Sequence, residues 1–301
     1  MENNNNNGVG SSSLDFTGSL KPFVEAGIAS LLTEFFCKMM PLGVDWVVAS
    51  GAKNEELMKP LNSRINLKTQ LKIYRATWPI CFSLDTITFG SFESLTRKAI
   101  DSNEGRPLSF YQEIGCGLLA STIGFYATAP YISAKKLMWA DSGLPVEKRV
   151  NYRNIYDAFH RISTKEGISA LWTRNTSMAI PFILSRTAMF ASYHRSLGYF
   201  EGLYGSDGTR ACFAAGAVSG FFQSIFLLPP VNVGMRMRTM KPNSQGKYPY
   251  TSYLDCRLKI LKFEGLFSLY GGFLWSIPVS TMPIMMMWWN LKDIKEFEEH
   301  F

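Results

Sequence analysis

Between Arg210 and Arg236 the chain runs for 25 residues, Ala211 to Met235, without a charged side chain. A helix needs ~20 mainly apolar residues to cross a bilayer, so this stretch is long enough. Within it Gly216 and Gly220 make a small-xxx-small face that lets a second helix approach closely, and the Pro229-Pro230 pair predicts a bend or break near the far end. A polar loop follows, then a shorter helical stretch ending in EGLFSLYGGF (Glu264 to Phe273) and a second uncharged span, Gly265 to Leu291.

Composition supports a membrane protein. Hydrophobic residues make up 47% of the chain and charged ones 18%, with 22 Phe and 14 Met. A mean hydropathy near zero implies spans separated by sizeable polar loops. The net charge of +7 comes from Lys and Arg scattered through loops and helix ends, with no basic block and no aromatic RNA-binding signature, so nucleic acid is not expected as a partner. A basic balance suits anionic headgroups or an anionic solute. The five cysteines show no CxxC pair and no metal spacing, and read as small buried side chains. No triad, phosphate loop or metal cluster is visible, so neither enzyme chemistry nor a cofactor or metal is expected. Met1 to Ser13, with five consecutive Asn, cannot build a core, and residues 1–18 are expected to form a disordered polar tail.

Three spans are free of charge: Ile114 to Ala134, Ala211 to Met235, and the segment after Gly271. Three more carry isolated charges: Phe23 to Val44 with Glu25, Glu34 and Lys38, Thr77 to Phe92 with Asp85, and Thr176 to Tyr193 with Arg186. Six spans are therefore predicted. They recur with a period, because Tyr74, Trp172 and Tyr270 sit in similar contexts (IYRAT, LWTRN, LYGGF) spaced 98 and again 98 residues apart. Upstream of each lies a proline at the end of an apolar stretch: Pro41, Pro130 and Pro230. Glu166-Gly167 and Glu264-Gly265 precede the second and third aromatic at one offset, where the first copy has Lys68-Thr69. Each unit reads as span, proline break, loop with a short amphipathic helix, then span.

Three such units, with a proline closing the odd span and EGxxxL[YW] before the even one, resemble the mitochondrial carrier family, and the sequence around Ala188 to Ser196 is similar to its oxoglutarate, dicarboxylate and uncoupling-protein branch. The resemblance implies an all-α membrane protein: six transmembrane helices in three pseudo-threefold repeats (19–106, 107–208 and 209–301), each with a short matrix-side amphipathic helix. It further implies a monomer in the mitochondrial inner membrane that moves a small metabolite, an organic anion, by alternating access, with cardiolipin bound at the short helices near Gly167 and Gly265. The alternative is a degenerate carrier fold serving as a non-transporting adaptor or receptor.

The alternative arises because the family signature, Pro-x-[Asp/Glu]-x-x-[Lys/Arg], is worn. The three copies read PLGVDW, PYISAK and PVNVGM, from Pro41, Pro130 and Pro230, and only Lys135 keeps a charged position. Starting the third at Pro229 instead would put Arg236 where the family often has an arginine; Pro230 is preferred because Val-Asn-Val then mimics Val-Asp-Val. Carried over, the matrix-side ion pairs become Gly43 with Lys135, Ile132 with Met235, and Asn232 with Trp46. Closure there would rest on bulk, with Trp46, Met235 and Ile132 as a hydrophobic constriction. On the cytosolic side the nearest matches to aromatic-[Asp/Glu]-x-x-[Lys/Arg] are Phe92-Glu93, Tyr193-His194 and Trp289-Asn290, with Thr96, Leu197 and Asp293 at the cationic positions, which predicts weak gates on both sides.

Charges inside spans are costly and are kept where they face a partner or water. Arg186, five residues past Pro181, is the leading substrate ligand, since a guanidinium can hold a carboxylate in two parallel hydrogen bonds. Lys135, Asp85 and Ser83 complete the predicted binding set. The plainer reading of Arg186 is that it pairs with Asp85 and only holds two helices together.

Overall fold

The computed structural model describes residues 10–39, 67–142, 150–205, 208–240 and 248–300, and the described residues are helical with no strand. Six long helices carry the fold: α1 (Gly10–Met39), α2 (Leu67–Ser102), α3 (Phe110–Ser142), α6 (Thr176–Tyr204), α7 (Gly208–Thr239) and α9 (Phe273–Glu299). Short helices α4 (Ile155–Lys165) and α5 (Ala170–Thr173) lie between α3 and α6, and α8 (Tyr253–Phe263) and a 3-10 turn (Leu266–Tyr270) between α7 and α9. The helix α1 begins at Gly10, within the stretch expected to form the tail. The serines at Ser11 to Ser13 suit a helix start, and Leu14 and Phe16 extend the apolar run behind them.

Each long helix packs on the next, and α9 returns to α1, so α1, α2, α3, α6, α7 and α9 close a ring. Its outer surface is apolar. Val24, Ile28, Leu31 and Phe35 form an exposed stripe at helical spacing on α1, as do Leu118, Leu119, Ile123 and Tyr126 on α3. Inside are hydroxyls and amides: Ser30, Thr33, Thr88, Ser121, Ser219, Gln223, Thr281 and Asn290 are all buried. Hydroxyls and amides thus share the interior with apolar and aromatic side chains while the outside is apolar, whereas a water-soluble bundle turns its polar residues outward.

Among the described residues one helix, Gly208–Gly234, is long and apolar enough by composition to cross a membrane, with a mean hydropathy of 1.7. The other two uncharged stretches are helical, in α3 and α9, yet their inward hydroxyls, glycines and prolines dilute the apolarity. The prolines do not break their helices. Pro130, Pro181 and Pro229-Pro230 all lie inside continuous α3, α6 and α7, so of the bend or break predicted at the Pro229-Pro230 pair the break does not occur.

Close helix contact is bought with glycine. A Cβ on Gly220 would stand 2.6 Å from Thr281 Cα and one on Gly216 2.8 Å from Met285 Cα, so the small face of α7 seats α9 as the sequence predicts. Gly90 of α2 meets Phe23 of α1 in the same way, a Cβ there standing 2.9 Å from Phe23 Cα. Gly220→Ala is expected to destabilise the protein by about 1 to 3 kcal/mol through overpacking. Gly198→Ala, whose Cβ meets nothing within 4 Å, should be neutral or stabilising, as thermal unfolding in detergent will show.

Candidate functional site

The even helices α2, α6 and α9 bring their inward residues together in successive layers. Deepest is an ion pair: Arg186 Nη2 on α6 donates to Asp85 Oδ1 on α2 at 2.9 Å. Both are largely shielded, with 13% and 21% of the side chains exposed, so neither charge is cheaply left alone. A bare charge at mid-bilayer costs at least ~2.5 kcal/mol. In the ring α3 stands between α2 and α6, so the pair reaches across the enclosed space. Arg186 also lies 5.6 Å over the Phe182 ring, and its buried Nε has no hydrogen-bond partner among the described residues. Two of the predicted site residues are thus joined directly. Ser83 sits two residues before Asp85 on α2, partly buried. Lys135 lies on α3, and its side chain is outside the described set.

One turn further along each helix comes an aromatic layer. Phe92 stacks on Phe190 with centroids 4.0 Å apart, Tyr193 on Trp288 at 3.6 Å, and Phe89 meets both Phe190 and Trp288 edge-on at 5.1 Å. All five rings are buried in the one core cluster to which all six long helices contribute. Trp288 is therefore a core residue.

Beyond the aromatics lies a set of ion pairs. Glu93 of α2 accepts from Lys295 of α9 at 2.6 Å and from Arg97 at 3.2 Å, while Arg97 reaches Glu25 of α1 at 2.9 Å. Arg195 of α6 holds Glu113 of α3 at 3.1 Å, and Lys21 of α1 holds Glu298 of α9 at 2.5 Å. The expectation that few ion pairs remain near these motif positions is corrected here. Arg97 and Lys295 stand one and two residues past the motif positions Thr96 and Asp293, and long side chains cover that offset. At the third motif position Asn290 donates to Thr33 of α1 at 3.0 Å, tying α9 to α1.

At the opposite end the repeat is visible bond by bond. Asn154 caps α4 by accepting from Asp157 N, and Ser252 caps α8 by accepting from Asp255 N. Asp157 binds Arg161, and Asp255 binds Lys259; each cation lies over a tyrosine ring, Tyr152 and Tyr250. Every partner is 98 residues from its counterpart. The backbone N–H of Arg153 and the Arg161 guanidinium hold the Asp157 carboxyl below its ordinary range, and Lys259 with the Thr251 N–H does the same for Asp255. Trp172 donates to the Tyr126 carbonyl and Tyr270 to the Ile225 carbonyl, at 3.0 and 3.2 Å.

The odd helices carry an offset of 99, which moves the third signature. Ser133 donates to the Leu171 carbonyl at 2.5 Å; its counterpart is Asn232, donating to the Leu269 carbonyl at 2.7 Å and the Gly271 carbonyl at 3.1 Å. Ala134 and Val233 likewise fill matching places in the two lower clusters. Pro130 therefore corresponds to Pro229, and the preference for Pro230 is corrected. Asn232 ties α7 to the 3-10 turn. Arg236, in the register of Pro229, makes a bidentate ion pair with Glu264, whereas Glu166 is held by Arg174 at 2.5 Å. Ile132 is partly buried on α3. Pro41, Trp46, Gly43 and Asp45 lie outside the described residues, as does the Met235 side chain, so the proposed matrix-side constriction is not described.

The profile of the family described as mitochondrial carrier protein matches residues 106–202 and 206–297. The chain belongs to the mitochondrial carrier family. It is accordingly a multi-pass protein of the mitochondrial inner membrane. The carrier is 39% identical over 218 residues, 71% of its own length and 72% of the relative's, to the mitochondrial dicarboxylate/tricarboxylate transporter of Arabidopsis thaliana. It is 31% identical to the bovine mitochondrial 2-oxoglutarate/malate carrier protein and 30% to mitochondrial uncoupling protein 5 of Arabidopsis thaliana. Those matches cover 60% and 64% of the carrier and 56% and 62% of the relatives.

The register carries a prediction. Asn232→Asp, which would restore an acidic gate if Pro230 began the motif, should instead set a carboxylate against the carbonyls of Leu269 and Gly271. A loss of about 1 to 3 kcal/mol is expected in thermal unfolding, with Asn232→Ser nearer the wild type. Equal or greater stability of Asn232→Asp would restore the Pro230 register.

Proposed function

We propose that the carrier moves small organic carboxylates across the inner membrane by alternating access, with Arg186 as the residue that takes the substrate carboxylate. One observation carries this: a shielded guanidinium reaches across the ring interior, directly beneath the aromatic layer, with its Nε uncommitted. Its relatives named for dicarboxylates, tricarboxylates, 2-oxoglutarate and malate support the same chemistry. In this reading the six long helices of the ring all span the membrane in three related pairs. The aromatic layer with the Glu93–Lys295 and Arg97–Glu25 pairs is the cytosolic closure, and Lys135 and Ser83 line the pathway. Asn232 is assigned to holding the short-helix end together, and Ile132 and Met235 with Trp46 to the matrix-side constriction.

The same reading gives Gly167 and Gly265 to cardiolipin. Their φ of +90° and +83° is left-handed, and no atom lies within 4 Å of a Cβ built on either, so phosphate can come close to the backbone. The carrier acts as a monomer, its pathway enclosed by its own ring. An adaptor role has less support, since the cytosolic closure is intact.

Reconstituted into liposomes, the wild type should exchange at least one member of a carboxylate panel. Arg186→Ala should lower kcat/KM for it by about tenfold to a hundredfold, the worth of a charged hydrogen bond. Arg186→Lys, which keeps charge but not the planar fork, should raise KM more than it lowers kcat. The double change Arg186→Ala with Asp85→Ala controls for a stranded charge. Uptake indifferent to Arg186 would refute the assignment.

A further inference from the structure

Three buried side-chain amides stand among the described residues, and two are answered within the chain: Asn175 donates to the Ala129 carbonyl at 2.9 Å and Asn290 to Thr33 at 3.0 Å. The third, Gln223 on α7, is 6% exposed, and its Oε1 has no hydrogen-bond partner among the described residues. Its neighbours Ser219 and Ser224 donate their hydroxyls to the carbonyls of Gly216 and Gly220, a route closed to an amide oxygen, which can only accept. Gln223 is turned inward. Phe221, Phe222 and Phe226 form the exposed face of α7, whereas Cys212, Ser219 and Gln223 are buried at helical spacing, and Cys212 Sγ meets Tyr193 Oη of the aromatic layer at 3.2 Å. An orphaned acceptor in such a place calls for a partner from outside the chain.

The repeat shows what Gln223 stands beside. Gly124 of α3 abuts Thr88 of α2, a Cβ there falling 3.2 Å from Thr88 Cα. One repeat further on, by the 99 residues that separate Ser133 from Asn232 and the 98 that separate Phe92 from Phe190, Gly124 becomes Gln223 and Thr88 becomes Arg186. The α6–α7 seam thus opposes two long polar side chains where the α2–α3 seam has a glycine and a threonine. Each ends in an unanswered atom: Arg186 Nε donates and Gln223 Oε1 accepts. The geometry points to Gln223 as a specificity residue that receives a hydroxyl on the carbon next to the substrate carboxylate, so that the carrier selects 2-hydroxycarboxylates. This rests on the reading above that Arg186 meets the substrate. A 2-hydroxycarboxylate carries an acceptor and a donor on neighbouring carbons, and one ligand answers both atoms. The same acid without its hydroxyl leaves Oε1 buried and unpaired, and a site built around a hydroxyl discriminates against the analogue that lacks it.

Acids that differ only by that hydroxyl isolate it as a variable. In proteoliposomes carrying the full chain, uptake of L-malate is compared with that of succinate, and citrate with tricarballylate. The wild type should favour the hydroxy member of each couple in kcat/KM by about threefold to tenfold, the worth of a neutral hydrogen bond. Gln223→Met, which keeps the length of the side chain and loses the amide, should bring both ratios towards one. A wild-type ratio of one or less in either couple overturns the inference while leaving carboxylate transport standing. So do ratios that Gln223→Met leaves unmoved because it slows both members alike, which would make Gln223 a packing residue. Absence of uptake for every carboxylate overturns both this inference and the reading it rests on. Should Gln223→Met fail to fold, Gln223→Ala and the wild-type ratios decide alone.

Discussion

The seam between α1 and α9 turns a row of helices into an enclosure. Without it, hydroxyls and amides such as Thr33, Ser121 and Gln223 would face lipid, where an unsatisfied polar group has no water to turn to. The seam is polar as well as packed. Asn290 donates to Thr33, the Thr33 hydroxyl approaches Met287 Sδ at 3.8 Å, Ala26 and Ala29 let the helices come close, and Lys21 meets Glu298 at the rim. The helices it joins are separated by most of the chain, so the interior forms only when the first and last long helices meet. That places the aromatic layer as a late consequence of closure, since Phe89 and Trp288 cannot touch until the ring is shut.

How far this was legible depends on what each residue answers to. The spacing of 98 residues survived into the structure as matched caps, matched cation–ring contacts and matched aromatic anchors, because those interactions are local and each is specified by a few neighbouring side chains. Asn154 and Asp157 lie three apart, so their copies at Ser252 and Asp255 are visible as sequence. Gly216 and Gly220 were legible for the same reason, since a helix face repeats every four residues. The third signature was misread because two adjacent prolines offer two registers, and resemblance to Val-Asp-Val spoke for the wrong one. Only the partner of Asn232, thirty-seven residues away at Leu269, settles which proline counts. The cytosolic ion pairs were missed by a motif that demands a cation at a fixed offset. Lysine and arginine carry long flexible stems, so Arg97 and Lys295 reach Glu93 from one and two places further on.

The two lower corners show how a worn motif keeps its mechanical role. In both, a glutamate sits just before a left-handed glycine and must be neutralised. Glu166 finds Arg174, which leads into α6, while Glu264 finds Arg236, which belongs to α7. The cation has changed helix, yet each corner still ties its short helix to a long one. Ser133 and Asn232 follow the same logic: a hydroxyl and an amide donate to equivalent carbonyls, and both corners bury an equivalent leucine, Leu171 and Leu269. Selection by geometry tolerates such exchanges, whereas a pattern written in residue types does not.

The stacking order of the layers also bears on direction. Asp85 and Arg186 lie below the rings, and Phe89 is one turn above Asp85 on α2 just as Phe190 is one turn above Arg186 on α6. In the proposed reading, a ligand that parts Asp85 from Arg186 would push on α2 and α6 at the foot of the aromatic layer. The rings are held by dispersion, which falls away steeply with separation, so a small displacement at the pair is worth more at the rings than its size suggests. The outer ion pairs respond differently, since Lys295 and Arg97 can follow Glu93 on their stems for some distance. Opening would then begin at the aromatic layer and reach the rim last. On that order, in the proposed reading, a bound ligand and not the rim charges would govern when the end closed by Glu93, Arg97 and Lys295 yields.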